Sequence, residues 1–340
     1  MSITKTTYLA FLACLLCPFL LHAQGKPEYA AMLQKAADSE DLRSPGSPPF
    51  QLDANLLLTD GVGKKFPGTY RLLWSSPDQW REEIHLGPYT RIRVGAPGKY
   101  WQQRSTEFDL PHIFELSNMV DYTSLVRREA QSPNGKMKNR SNHGVKWDCV
   151  ELQARKGLPD KEICLDSTDG TLMSEKMETA AVDPTELTSR EYSDFAKFGE
   201  KVFPKTIRGM AGGTQLIDFS VTHLGPLDHT DASLFAAPPG AQPWARCESP
   251  DEKKSEFIQQ PVPVYPEVSK SHHVQGTVLI YAVIGEDGVT RNLKVVSAPD
   301  KNLAESAITA VAGWRYVPRT CSGVPFAVED IVNVIFTLSR

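Results

Sequence analysis

The chain reads as an α+β protein in two parts, a larger and mostly antiparallel β domain followed by a small ββαβ unit. Three observations predict this. Short strands with period-two alternation, broken by Pro and Gly turns, follow one another from Phe50 to Thr222 with few helical stretches between them. Residues 238–260 are rich in Pro and charge and carry no apolar periodicity, which reads as a linker. Residues 261–340 then pass from alternation to helical spacing and back. A length of 340 residues favours two domains over one.

The N-terminus addresses a compartment. Lys5 precedes an apolar run from Tyr8 to Leu21, and Leu21-His22-Ala23 ends on a small residue suited to cleavage. This is the pattern of a secretory signal over residues 1–23. As a helix the run spans roughly 21 Å, short of the ~30 Å hydrocarbon core, and Pro18 interrupts it. Cleavage is therefore expected over retention as an anchor, and with it a periplasmic location. If the segment is kept, the protein is anchored in the inner membrane. Phe11-Leu12-Ala13-Cys14 has the outline of a lipoprotein cleavage box, but too little apolar sequence precedes it.

Residues 24–237 make the larger domain. Tyr29–Leu42 has the spacing of a short amphipathic helix. Strands are expected at 50–58, 68–74, 80–86, 89–94 and 99–103, with turns at Ser75-Ser-Pro-Asp78 and Gly95-Ala-Pro-Gly98. A helical patch at His112–Met119 interrupts them. Lys136-Met-Lys-Asn-Arg140 reads as a solvated basic loop. Strands follow around Cys149 and Cys164 and over 170–176, 203–208 and 215–222.

Cysteine usage agrees with export. Cys14 and Cys17 fall in the signal segment, which leaves Cys149, Cys164, Cys247 and Cys321. Cys149 and Cys164 lie on two strands joined by a loop with Gly157 and Pro159, so a hairpin places them opposite one another. The remaining pair, Cys247 with Cys321, staples the linker to the last domain. Four cysteines allow three connectivities, so spacing alone does not fix the pairing.

In the last domain Val278, Ile280, Ala282 and Ile284 alternate, as do Val289, Leu293 and Val295 beyond a Gly285-Glu-Asp-Gly288 turn. Asp287-Gly288 supplies the positive φ of a tight hairpin. Leu303, Ala307, Ala310, Val311 and Trp314 then form one helical stripe, and Pro318 stops the helix. Ser322-Gly323 marks a turn, and Val328 to Phe336 gives a strongly apolar closing strand.

The opening Tyr265-Pro266, the Gly276-x-Val278 entering the first strand, the Gly-x-x-Gly turn, Trp314-Arg-Tyr-x-Pro318 and the Ser322-Gly-x-Pro325 after it stand in order. Residues 261–338 thereby resemble the C-terminal domain of TonB, the periplasmic arm of an energy-coupling system for outer-membrane transport. Ser269, where that family usually has Ala, and Cys321, where it has a polar residue, depart from the pattern. The resemblance implies an energy-transducer or adaptor role without catalysis. It also implies a partner segment from an outer-membrane transporter, or another envelope protein, added to an exposed strand. The closing strand is the edge expected to receive it, with Val332, Val334, Phe336 and Leu338 as partner-binding residues. Trp314, Arg315 and Tyr316 are expected to anchor the module's own core.

A looser resemblance covers residues 50–240. Gly68-x-Tyr70 with Trp74 before a Pro turn, Trp80-Arg-x-x-Ile84, Phe203-Pro-x-x-Ile207 and the run after Asp231 are similar to the LolA and LolB lipoprotein-carrier family. That family folds as an open half-barrel around a helix, so the resemblance implies a half-barrel-like domain. It gives a second functional expectation, a lipid or lipoprotein carrier. In that case Tyr70, Trp74, Trp80, Tyr100 and Trp101 line an apolar hollow instead of packing a core. A continuous hollow favours the carrier, and a filled core favours the adaptor.

Catalytic patterns are absent from the sequence. There is no G-x-S-x-G, no H-E-x-x-H and no nucleotide fingerprint, and Gly61-Val-Gly-Lys-Lys65 lacks the spacing of a phosphate loop. His272 and His273 are adjacent and point to opposite sides of an extended segment, with no third ligand in view. No enzyme activity, cofactor or metal is expected. The net charge of −4 gives no reason to expect nucleic acid.

Overall fold

The computed structural model describes residues 28–60, 63–132, 134–142, 144–153, 160–177, 187–247 and 251–338. The expected signal segment lies outside the described residues, as does the loop between the cysteine strands. No described helix is long and apolar enough to cross a membrane.

The larger domain opens with helix α1 (Glu28–Glu40) and five strands, β1 (Phe50–Thr59), β2 (Lys65–Ser76), β3 (Gln79–Leu86), β4 (Tyr89–Ala96) and β5 (Lys99–Arg104). Helices α2 (Pro111–Val120) and α3 (Tyr122–Glu129) cross over. Seven strands follow: β6 (Gly135–Asn142), β7 (Val145–Leu152), β8 (Lys161–Asp166), β9 (Leu172–Met177), β10 (Ser189–Phe198), β11 (Lys201–Ala211) and β12 (Thr214–Pro226). The short strand β13 (Gln242–Pro243) completes a 13-stranded sheet ordered β13-β5-β4-β3-β2-β1-β12-β11-β10-β9-β8-β7-β6. Every pairing in it is antiparallel. Two meanders, β1–β5 and β6–β12, are joined where β1 meets β12. The end strands β13 and β6 do not pair, so the sheet stays open.

The three helices fill the inside of this sheet. Tyr29, Ala30, Leu33, Ala36 and Ala37 form the buried stripe of α1. With Ile113, Leu116 and Met119 of α2 and Tyr122 and Val126 of α3, they share one core with Phe50, Leu52, Ile84 and Phe219 of the sheet. The space left between Glu40, Phe50, Leu52 and Tyr122 is about 10 Å³. Tyr70, Trp74 and Trp80 are buried in this core, with Tyr100 packed at its margin. Trp101 lies against a separate cluster of Leu73, Val94 and Phe235. Tyr70, Trp74 and Trp80 thus pack into the core, and they also line a cleft whose other walls are charged, with Arg43, Glu82 and Arg93.

Two expectations for this domain are corrected. Lys136–Arg140 is not a loop but most of β6, the end strand, whose side chains are nearly all exposed. With neither face buried, such a strand carries no apolar period, and its charges suit an edge. Arg140 ties it down through Glu162 at 2.7 Å and Glu151 at 2.9 Å. The segment 238–260 is also not a free linker. Gln242 and Pro243 pair with β5, and strand β14 (Glu256–Gln259) pairs with the later strand β17 (Arg315–Val317). Single aromatics anchor each piece. Trp244 packs edge-on against Trp80 and Tyr100, and Phe257 packs against Trp314 and Tyr316.

Strand β14, ahead of residue 261, thus pairs with a strand of the small domain. After α4 (Glu267–Ser271) come β15 (Gly276–Ile284), β16 (Thr290–Ser297) and α5 (Lys301–Ala312). Beyond β17 lie β18 (Thr320–Cys321), β19 (Val324–Pro325) and the closing strand β20 (Val328–Phe336). The sheet order is β16-β15-β20. Helix α5 buries Leu303, Ala307 and Val311 against Val278, Ile280, Ile284, Val332, Val334 and Phe336. The expected ββαβ order is present, and Trp314 and Tyr316 sit in that core.

Local details follow from particular residues. Gly288 has φ of 74°, and a Cβ there would lie 1.8 Å from the Tyr316 carbonyl oxygen. No other residue fits a turn pressed so closely on β17. The Asp300 carboxylate caps α5 by accepting from the Leu303 N–H at 2.7 Å. Buried Ser269 donates to the other Asp300 oxygen at 2.7 Å. The serine that departs from the family pattern thus orients the helix cap.

Candidate functional site

Strand β20 lies at the edge of its sheet. It pairs with β15 from Gly276↔Phe336 to Ile284↔Val328, and among the described residues no strand pairs with its other side. Alternate backbone groups on such an edge point away from the sheet and are open to a partner. On the far edge, β16 is approached at its start by a bridge between Val289 and Arg315.

The four expected partner-binding residues do not all face outward. Val332, Val334 and Phe336 are buried beneath α5, so only their backbone can take part in pairing. Leu338 lies beyond the strand and donates its N–H to the Gln275 side chain at 2.8 Å. The alternate residues Asn333 and Ile335 are exposed, and Ile335 is 46% exposed. Period two in β20 determines this split. The apolar positions that make the strand conspicuous in sequence are the ones packed inside.

The start of β20 is fastened to the larger domain. Arg104 of β5 holds the Glu329 carboxylate with both terminal nitrogens, each at 2.7 Å. The Tyr281 hydroxyl donates to the same carboxylate at 2.9 Å. Phe108 stacks on the Tyr281 ring at 5.3 Å, and Lys294 of β16 pairs with Glu107. The face of the small sheet opposite α5 thus rests on residues 104–108. This explains why Leu279 and Tyr281 are buried although they point away from the helix. Burial depresses the charged form of Arg104, yet the bond to Glu329 outweighs it and the guanidinium is held above its ordinary value.

Both disulfides are formed as expected. Cys149 and Cys164 face each other across β7 and β8, with Cα atoms 4.0 Å apart. Cys247 bonds Cys321 with Cα atoms 5.4 Å apart. The second departure from the family pattern, Cys321, is therefore the anchor of an interdomain staple. Sequence reasoning missed the seam made by Arg104, Phe108, Tyr281 and Glu329. One signal was present, because Tyr281 is an aromatic at an outward position of an alternating strand.

A deep cleft of about 1070 Å³ lies beside Trp244, between the rim of the large sheet and α3. A second, of about 680 Å³, lies on the other side of Trp244 against the start of β20.

Residues 261–338 match the family model of the Gram-negative bacterial TonB protein C-terminal. The match covers the three-stranded sheet, α5 and the free edge. No curated protein matches the chain. Among solved structures, the Pseudomonas aeruginosa TonB C-terminal domain is similar at 22% identity over 28% of this chain and 98% of its own, with a TM-score of 0.24. A LolA superfamily protein from Nitrosomonas europaea is similar at 10% identity, covering 61% of this chain and 96% of its own, with a TM-score of 0.37. The Pseudomonas aeruginosa MucA/MucB complex is similar at 11% identity, covering 76% of this chain and 81% of its own, with a TM-score of 0.23.

Proposed function

We propose that this is a non-enzymatic protein of the periplasm, a TonB-like adaptor or energy transducer for outer-membrane transport. Its small domain captures an extended segment of an outer-membrane transporter or another envelope protein by adding it to β20. One observation carries this reading. The strand with one side unpaired among the described residues lies in the stretch that matches the TonB C-terminal family. Main-chain hydrogen bonds supply the affinity in such a contact, and outward side chains supply the choice of partner. Here Asn333 and Ile335 have that place.

Two disulfides suit an oxidising compartment and so support export. Whether the protein is soluble or tethered depends on cleavage after Ala23. The mass of the mature protein decides this point. The carrier reading has less support, because the cleft that Tyr70, Trp74 and Trp80 line is not a continuous apolar hollow but also carries Arg43, Glu82 and Arg93.

The test is binding of synthetic segments from outer-membrane transporters exported by the same cell, measured by calorimetry on the full chain. Val334→Pro removes an N–H in mid-strand and is expected to abolish binding. Melting curves recorded alongside separate lost binding from lost folding. If no segment binds the folded chain, the adaptor reading fails.

A further inference from the structure

The larger cleft beside Trp244 has a lining that the adaptor role does not use. The most buried part of its lining, its floor, includes Leu72, Trp74 and Val120, with Tyr70 and Glu82 beside them. Its mouth is cationic. The carboxylates of its wall are each engaged: Asp41 with Arg127 at 2.8 Å, Asp121 with Arg43, Glu82 with Arg91 at 2.8 Å, and Glu252 with Arg319 at 2.7 Å. Of the other cations in the lining, Arg93 pairs with Asp109 and Arg246 lies over the Trp80 ring, so among the described residues Arg128 and Lys254 are left. Among those residues Arg128 has only Glu129, at 3.5 Å, and its side chain is half exposed. Lys254 has no carboxylate within 4 Å among the described residues, and it stands across the mouth on the segment after Cys247. The side chain is exposed, but partial desolvation of its ammonium, with the charges of Arg128 and Arg319, holds it below the ordinary lysine value, with Glu252 opposing them.

We propose that this cleft binds an organic phosphate, with the phosphate between Arg128 and Lys254 and an apolar body on the floor. An arginine fork and a lysine point charge together suit the several oxygens of a phosphate. The volume, about 1070 Å³, far exceeds what inorganic phosphate needs and lies at the upper end of small-molecule sites. Charge at the mouth and apolar surface beneath set the polarity of the ligand. Such a group comes either from a lipid headgroup or from a soluble phosphate ester.

Calorimetric titration of the full chain with four probes tests this. These are inorganic phosphate, phenyl phosphate, dodecyl phosphate below its micellar concentration, and the uncharged dodecyl maltoside. A phosphate ester is expected to bind at least about tenfold more tightly than inorganic phosphate or the maltoside. A preference for the dodecyl ester assigns a lipid headgroup, and equal binding of the phenyl ester assigns a soluble ligand. Lys254→Gln is expected to weaken ester binding about tenfold, and Lys254→Arg to keep it. Among the described residues Lys254 makes no ion pair, so the melting temperature of Lys254→Gln should not fall. Arg128→Gln, on a separate element, provides the second variant and should weaken binding likewise. Three results overturn the proposal: no ester binding, maltoside binding as tight as the esters, or ester binding unchanged in both Gln variants. Inorganic phosphate binding as tightly as the esters overturns it too, since the floor then has no role.

Discussion

Arg104 and Glu329 stand 225 positions apart in the chain and join the two domains through paired hydrogen bonds of 2.7 Å. The strand with the free edge begins at this ion pair. The small domain is thus fastened to the large sheet at the start of β20. Four predictions follow from this arrangement and from the cores on either side.

Glu329→Gln keeps the shape of the side chain and removes its charge. Charge-assisted bonds of this kind contribute about 1.5–3 kcal/mol. Calorimetry should show the small domain melting at a lower temperature and separating from the main transition. Phe108→Ala, which removes the stack on Tyr281, should act in the same direction.

The two disulfides differ in what they close. Cys247 and Cys321 are 74 positions apart, whereas Cys149 and Cys164 are 15 apart. In the chain-entropy account the longer loop is worth about 4 kcal/mol and the shorter about 3 kcal/mol. Urea unfolding of paired Cys→Ser variants should reproduce that order. The Cys247/Cys321 variant should also loosen the seam, detected as faster proteolysis near residues 244–256.

Trp314→Ala should destabilise the small domain by about 3–5 kcal/mol. Its ring is buried, and its indole N–H donates to the Pro261 carbonyl at 3.1 Å. Loss of partner binding without any change in melting temperature would move Trp314 from core to contact surface.

Burial pushes the Glu40 carboxyl up to about 7, although the Leu172 N–H and the Tyr122 hydroxyl both donate to it. In the unfolded chain it titrates near ~4.3. Between these values the folded state holds the proton more tightly. The stability this group contributes is full below the unfolded value and is lost as pH rises through the folded one. Glu40→Gln should flatten the fall in stability between pH 5 and 8, measured by urea unfolding at several pH values.

Most of this fold is written in local periodicity. Strands with one buried face, such as β15 with Val278, Ile280, Ala282 and Ile284, announce themselves by alternation, and α5 does so by its stripe. β6 is exposed on both faces and has no period to read. In β10, Asp194 adopts φ of 55° and drops out of the pairing between Ser193 and Phe195, which interrupts the alternation. Helix α3 is short and follows α2 after only Asp121, and the helical patch at His112–Met119 covers α2 alone. The candidate site was legible as an edge but not in its facing. The seam was not legible, because a pair such as Arg104 and Glu329 leaves no local pattern in either segment.

Hydrogen exchange of the full chain, with and without a bound transporter segment, tests strand addition at β20 most directly. Free, the amides of β20 that point away from β15 should exchange quickly for a strand with so buried a face. Bound, every second amide between Val328 and Phe336 should gain protection, while β16 at the opposite edge stays unchanged. Binding that leaves β20 unprotected, or that protects β16 instead, would contradict the account.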